Sequence, residues 1–436
     1  MSKFLYSRDL DFSSRGDIAR IQGDFLKKHL SFCKMNSPYY KNLLNGIDLS
    51  GDIFEVLKKI PLTDKDVLTR HKGEFVAVAQ DDIQDIVFSS GTTGEPLSIV
   101  YTATDLERLA YNELRTFLAC GMRKSDRVLL TCTLDRCFIA GLAYFEGARA
   151  IGAATIRNGL NSMESHLEII RRLKPTVLVG VPSFLKRLIE YLDSENTIPE
   201  HVRMLLCIGE PVRGLDLELN PLGHFLEKHW GAKVYSTYAS SETITSFCDC
   251  ESACGGHLLP ELAVLEILDE NAREVPCGEI GEVVVTPLQI EGMPLIRFRT
   301  GDISFKVDEP CSCGRNSLRL GPIIGRKQQM MKINGTTLYP QTVFTALEGI
   351  EGITDYYITA KRLEYGLSDY AEVHVALTND LPDKESIVRK LAALTRVKLP
   401  VIIEPAEKVR AKIFSINSRK PVRFFDDTQS QQSEVL

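Results

Sequence analysis

Short apolar runs alternate along this chain with longer stretches in which apolar residues recur every three or four positions. The runs Asp85-Ile86-Val87-Phe88, Ile99-Val100-Tyr101-Thr102, Arg127-Val128-Leu129-Leu130-Thr131, Val177-Leu178-Val179-Gly180-Val181 and Met204-Leu205-Leu206-Cys207-Ile208 read as strands. Residues 17 to 35 (Ile18, Ile21, Phe25, Phe32), 104 to 119 (Leu106, Leu109, Leu114, Leu118), 140 to 151 and 183 to 192 read as helices. Strands separated by helices predict an α/β fold of layered sheets with ligands at the strand ends. Thr63 or Asp64 is placed to cap a short helix, and the segment 57–66 around them reads as scaffold.

The pattern then changes twice. Between about 263 and 324 the elements are short and alternating (Ala263 to Ile267, Glu282 to Thr286, Ile296 to Phe298), which predicts a β-rich subdomain. Beyond Gly325, helices at 341–349 and 383–397 and strands at 354–360, 371–377 and 401–405 predict a small α+β module of split βαβ type. The expected organisation is therefore a large N-terminal domain over 1–325, an α+β domain over 326–427, and a polar, disordered tail over 428–436. No internal repeat is visible.

A chain of 436 residues is too long for one core, which agrees with that division. The net charge of -6 gives no footprint for nucleic acid, and no basic block suits an anionic membrane. No apolar run reaches transmembrane length, and Met1-Ser2-Lys3-Phe4 does not open a signal peptide, so a cytoplasmic protein with reduced cysteines is expected. Five of the eleven cysteines (Cys248, Cys250, Cys254, Cys311, Cys313) fall in two short clusters, a spacing that suggests metal. Thiolates with one imidazole from His257 make a closed, structural zinc site.

The loop Ser89-Ser90-Gly91-Thr92-Thr93-Gly94-Glu95-Pro96 follows a strand, and its glycines and hydroxyls suit a polyanion. It is not a Walker loop, because no Gly-Lys-Ser/Thr follows. Three further stretches carry chemistry: Tyr235-Ser236-Thr237-Tyr238-Ala239-Ser240-Ser241-Glu242, Ile296-Arg297-Phe298-Arg299-Thr300-Gly301-Asp302, and Ser418-Arg419-Lys420-Pro421. Alone, each reads as a turn, a core aromatic or a solvated basic face.

In this order, and from about residue 20 to 427, the four resemble the phenylacetate–coenzyme A ligase branch of the adenylate-forming enzymes. The resemblance implies activation of a carboxylic acid by ATP to an acyl-adenylate, then a thioester with coenzyme A. It assigns the phosphates to Ser89, Ser90, Gly91, Thr92, Thr93 and Gly94. Adenine would lie between Tyr238 and Gly209-Glu210-Pro211, beside Ala239, Ser240 and Ser241. Glu242 would take Mg²⁺, Asp302 the ribose hydroxyls, Arg326 ribose or phosphate, and Lys420 the substrate carboxylate with the α-phosphate. The acyl pocket is expected at Phe138, Tyr144, Phe145, Gly180 and Val181, with Gly209 and Ala239, and suits an aryl or arylacetic acid. The family's cysteine pattern is met by Cys250, His257, Cys311 and Cys313, with Cys248 and Cys254 as rival ligands. The resemblance also leaves room for a homodimer.

Four positions depart from the family. Glu95 stands where the loop usually has Lys, and Gln328-Gln329 replace the hinge acids. Thr337 replaces the usual Asn. These departures keep alternatives open: transfer to a carrier-protein pantetheine arm or to an amine, or a catalytically impaired nucleotide-binding member.

Overall fold

The computed structural model describes residues 9–89, 97–361, 369–378, 382–414 and 421–426. The chain divides into two compact units, Met1–Leu219 with Gly223–Ile323, and Asn220–Leu222 with Ile324–Leu436. No helix among the described residues is long and apolar enough to cross a membrane.

The larger unit is built on a nine-stranded sheet. Five parallel strands lie in the order Ala154–Arg157, Arg127–Leu130, Val177–Gly180, Met204–Ile208, Lys233–Ser240. Thr245–Cys248, Gly256–His257, Arg319–Leu320 and Lys306–Val307 then extend it antiparallel. Parallel neighbours need crossovers, and helices Ile139–Ile151, Met163–Leu173 and Pro182–Ser194 supply the first three of the four. Sequence sets where each starts: Ser162 accepts from the Ser165 amide, and Pro182 occupies a first-turn position. Covered on both faces, the central strands bury every residue of Val177–Gly180 and Met204–Ile208.

Helix Ala103–Ala119 opens with a capping box between Thr102 and Asp105. It approaches helix Ile139–Ile151 so closely at Gly147 that a Cβ there would lie 2.4 Å from Cβ of Glu113. At its far end Arg115 meets Asp11, a carboxylate 1% exposed that also takes Arg315, each at 2.7 Å. The first short helix, Leu10–Phe12, is thereby clamped between two guanidiniums from distant parts of the chain.

The β-rich part is an antiparallel array of Ala263–Leu268, Gly281–Pro287 and Phe298–Ser304. The expected strand at 296–298 is displaced: it starts only at Phe298, because Arg297 takes a left-handed backbone (φ 48°). That turn sends the Arg297 guanidinium inward to Glu266 at 2.8 Å and to the carbonyls of Lys58 and Ile60 at 2.9 Å. A buried ion pair has overruled local strand propensity.

The smaller unit has a sheet ordered Val401–Ile403, Tyr370–Leu377, Ile353–Lys361, Phe424–Asp426, with helices Pro340–Glu348, Lys384–Thr395 and Ala406–Ile413. Here the expectation of a split βαβ is corrected. Each parallel pair, Tyr370–Leu377 with Val401–Ile403 and Ile353–Lys361 with Phe424–Asp426, is made of immediate neighbours, and no strand separates them.

Candidate active site

Parallel strands deliver their following loops to one edge, and the expected nucleotide residues of the larger unit sit there. Ile208 pairs with Thr237, so the next residues along, Gly209 and Tyr238, emerge side by side. Gly209 has a φ of 72°, a turn that L side chains resist. Glu210 folds back over the start of helix Pro182–Ser194, where its carboxylate accepts from the Ser183 amide and hydroxyl, both at 2.9 Å. Ala239 is exposed, and Pro211, Ser240 and Ser241 are half-buried.

Tyr238 donates to Asp302 Oδ2 at 2.8 Å, joining the second and third chemistry-bearing stretches. Burial, then the Asp302 charge, raises the Tyr238 phenol well above its ordinary range, so it stays a donor. Asp302 is fixed from below as well, its amide donating to Thr300 Oγ1 at 3.1 Å. Asp302 thus presents a carboxylate, oriented by the tyrosine, at this strand edge.

Glu242, 5% exposed, lies in the turn after strand Lys233–Ser240. Its Oε1 is 2.9 Å from Nζ of Lys65. That oxygen nevertheless makes no directed hydrogen bond, so the ammonium contributes charge while lone pairs stay open. A buried carboxylate with open acceptor capacity fits a hard cation.

Lys65 is the neighbour of Glu242 that the sequence did not reveal. The segment 57–66 read as scaffold, with Thr63 or Asp64 as cap; Asp64 does cap helix Lys65–Arg70, its Oδ1 accepting from the Val67 amide at 2.8 Å. Yet Thr63 also exchanges hydrogen bonds with Arg297 (3.1 Å) and Arg299 (2.7 Å). This short bridge lays the segment beside the Asp302 strand and carries Lys65 to Glu242. Only its distance from the acidic motif in sequence hid it.

The loop expected to hold phosphates is described only at its neck. Ser89 is buried and its amide donates to the Leu97 carbonyl at 2.9 Å, while the Phe88 amide donates to the Cys137 carbonyl at 2.8 Å. Ser90, Gly91, Thr92, Thr93 and Gly94 lie outside the described residues, as do Glu95 and Lys420.

Of the expected acyl-pocket residues, Gly180, Val181 and Phe138 lie at strand and helix junctions on the same edge. A Cβ at Gly180 would stand 2.2 Å from Thr131 Oγ1, so this position tolerates no side chain without a shift. Tyr144 is placed differently: it is 4% exposed and stacked on Phe117 with centroids 6.0 Å apart, inside the core beneath the sheet edge. Phe145 is half-buried under the Arg157 guanidinium, 5.3 Å from its ring. In the smaller unit, Arg326 is exposed after Gly325, where an added Cβ would lie 2.7 Å from Tyr339 Cβ, and Gln328 and Gln329 lie in a 3₁₀ turn.

The cysteine cluster is a separate centre. Donor atoms of Cys250, His257, Cys311 and Cys313 all lie within 4.8 Å of one another. Cys250 and Cys311 sulfurs are 3.6 Å apart, and Cys313 Sγ is 3.6 Å from His257 Nε2. Tetrahedral zinc with bonds of ~2.3 Å to sulfur and ~2.05 Å to nitrogen would set these spans at ~3.8 and ~3.6 Å. Ser317 Oγ lies 3.5 Å from His257 Nδ1, leaving Nε2 toward the thiols. Of the rivals, Cys248 faces away to Cys120, sulfurs 3.4 Å apart. Asp249 anchors the cluster to the nucleotide strand, accepting from the Ser236 amide (2.8 Å), the Gly255 amide (3.2 Å) and Arg213 (2.7 Å).

Residues 44–290 match the family model described as AMP-binding enzyme. The chain is 30% identical over 384 residues to a phenylacetate–coenzyme A ligase of Thermus thermophilus, covering 86% of this chain and 84% of that one. It is 28% identical to a phenylacetate–coenzyme A ligase of Pseudomonas putida, over 82% of this chain and 81% of the other. Among solved structures, a 2-hydroxyisobutyryl-CoA ligase in the postadenylation state superposes with a TM-score of 0.86 at 20% identity, covering 99% of this chain and 96% of that chain. An anthranilate CoA ligase gives 0.59 at 17% identity, over 82% and 68%. With the strand-end site and these matches together, the chain belongs to the AMP-binding enzyme family, in the phenylacetate–coenzyme A ligase-like branch of the AMP-forming acid–thiol ligases.

Proposed function

We propose that this enzyme activates an aromatic or arylacetic acid with ATP and transfers the acyl group to coenzyme A. The observation that carries the reading is the 2.8 Å bond from Tyr238 to Asp302, because it joins the aromatic expected at adenine to the carboxylate expected at the ribose hydroxyls. An acid oxygen attacks the α-phosphorus, pyrophosphate leaves, and the acyl-adenylate is then opened by the thiol of coenzyme A. Bringing two anions together is the main barrier, so cations and orientation carry the catalysis. Lys420 is assigned to the reacting carboxylate and α-phosphate, and Thr92 and Thr93 to the outer phosphates. Glu242 would hold Mg²⁺, which supplies charge neutralisation at the phosphates; Arg326 is assigned to ribose or phosphate.

The aromatic preference is supported by relatives bearing the phenylacetate–coenzyme A ligase name and by apolar Phe138 and Val181 at the edge. Acid-dependent pyrophosphate exchange over a panel of aryl, arylacetic and short aliphatic acids tests it. Exchange only with aliphatic acids would remove the aromatic reading, and no exchange with any acid would remove the function.

We assign a structural zinc to Cys250, His257, Cys311 and Cys313, supported by the two spans that agree with tetrahedral coordination. Metal analysis of purified protein, with about one zinc per chain expected, tests this assignment separately.

A further inference from the structure

The zinc assignment leaves one donor over. Cys254 lies outside the four mutually close ligands, yet its sulfur is only 3.3 Å from that of Cys311, nearer than the 3.6 Å of Cys250. Two thiolates sharing a tetrahedral zinc would be held ~3.8 Å apart. Cys254 therefore sits as a thiol against a ligand's sulfur. Its segment is firmly held: Ala253 and Gly255 both take left-handed backbone (φ 53° and 103°), the Gly255 amide is bound by Asp249, and the Arg319 guanidinium donates to the Cys254 carbonyl. Cys254 is half-buried and reaches solvent, as does Cys313; Cys311 beside it is nearly covered at 7% exposed, and Cys250 is sealed.

We propose that Cys254 and Cys311 form a peroxide modification site in which Cys254 is the resolving thiol and disulfide formation removes one of the four metal ligands. This rests on the zinc reading above. The Cys311 thiolate attacks one peroxide oxygen, the O–O bond breaks, and Cys311 sulfenic acid and hydroxide result. The Cys254 sulfur then attacks the sulfenic sulfur, the S–O bond breaks, and the departing hydroxide leaves as water with the Cys254 proton. Two electrons pass from the sulfurs to the peroxide, and the metal is left with three protein ligands. A disulfide needs its sulfurs ~2.05 Å apart, so the pair must close by little more than an ångström. The molecule holds its own comparison. Cys120 and Cys248 are equally near at 3.4 Å, but each is 1% exposed and neither is assigned to metal. That pair stays reduced.

The test treats purified zinc-loaded protein, Cys254→Ser and Cys248→Ser with hydrogen peroxide. It follows metal release with a chromogenic chelator and maps linked peptides by mass spectrometry. Wild type and Cys248→Ser are expected to release zinc together and to yield a 254–311 link, with release roughly tenfold slower in Cys254→Ser. Equal release from Cys254→Ser, or a 250–311 or 311–313 link in the wild type, overturns the proposal. If Cys254→Ser does not fold, the wild-type peptide map alone decides. Protein purified without zinc instead overturns the metal reading, and the proposal falls with it.

Discussion

Replacing Lys65 with Ala isolates the least expected contact of the site. At 2.9 Å and an effective dielectric constant of about 20, the Lys65–Glu242 attraction is roughly 6 kcal/mol. Lys65 is 43% exposed, however, and water screening brings exposed pairs down to ~1 kcal/mol or less. Glu242 is buried, and stripping a buried carboxylate of its partner costs ~3–5 kcal/mol. The pair lies between these limits, at about 2 kcal/mol, or roughly 30-fold in an equilibrium at ~1.4 kcal/mol per decade. If Lys65 and Mg²⁺ compete for one carboxylate, Lys65→Ala lowers the Mg²⁺ concentration for half-maximal pyrophosphate exchange by up to that factor. A melting curve checks that the fold survives. A half-saturation that stays put would refute the competition, and one that rises would mean that Lys65 helps to bind the magnesium nucleotide.

Three further outcomes follow from particular contacts. Tyr238→Phe keeps an aromatic face but removes its bond to Asp302; losing a hydrogen bond to a charged group, ~1.5–3 kcal/mol, should raise KM for ATP about tenfold or more while KM for the acid holds, by steady-state kinetics. Gly180→Ala should impair acid activation and stability through the Thr131 Oγ1 clash, and Thr131→Ala in the same chain should restore part of both in exchange and melting assays. Burial raises the Glu113 carboxyl to about 7, against hydrogen bonds from Ser246, Asn112 and Thr116 that lower it. With the folded value above the unfolded one, this group's contribution is intact below about 4.5 and is lost as pH rises through about 7. Glu113→Gln should therefore flatten the fall in melting temperature across that window; an unchanged profile would place the effect elsewhere, Glu261 being the other buried acid raised to about 7.

What could be read from sequence was what local pattern encodes. The buried strands Val177–Gly180 and Met204–Ile208 are unbroken apolar runs, and the cap of helix Lys65–Arg70 is a local matter of Asp64. Two-residue strands such as Gly256–His257 and Arg319–Leu320 carry no periodicity; pairing across the fold creates them. Arg297 departs from its expected strand because Glu266, far away in sequence, makes a left-handed turn worthwhile. Six donors for four metal places could not be ranked by spacing, whereas the direction of Cys248 toward Cys120 is evident once the sheet is formed. Lys65 was hidden for the same reason, since its role depends on Thr63 bridging to Arg297 and Arg299.

The clamp on Asp11 has a practical consequence for anyone shortening this chain. Cutting after residue 12 would leave Arg115, 8% exposed, and Arg315 facing each other with no shared counter-ion. One of those guanidiniums leads directly from the Cys311–Cys313 knuckle. Trimmed versions made for crystallisation or tagging should therefore keep everything from Asp9 onward, or they will loosen a cysteine cluster that lies hundreds of residues downstream.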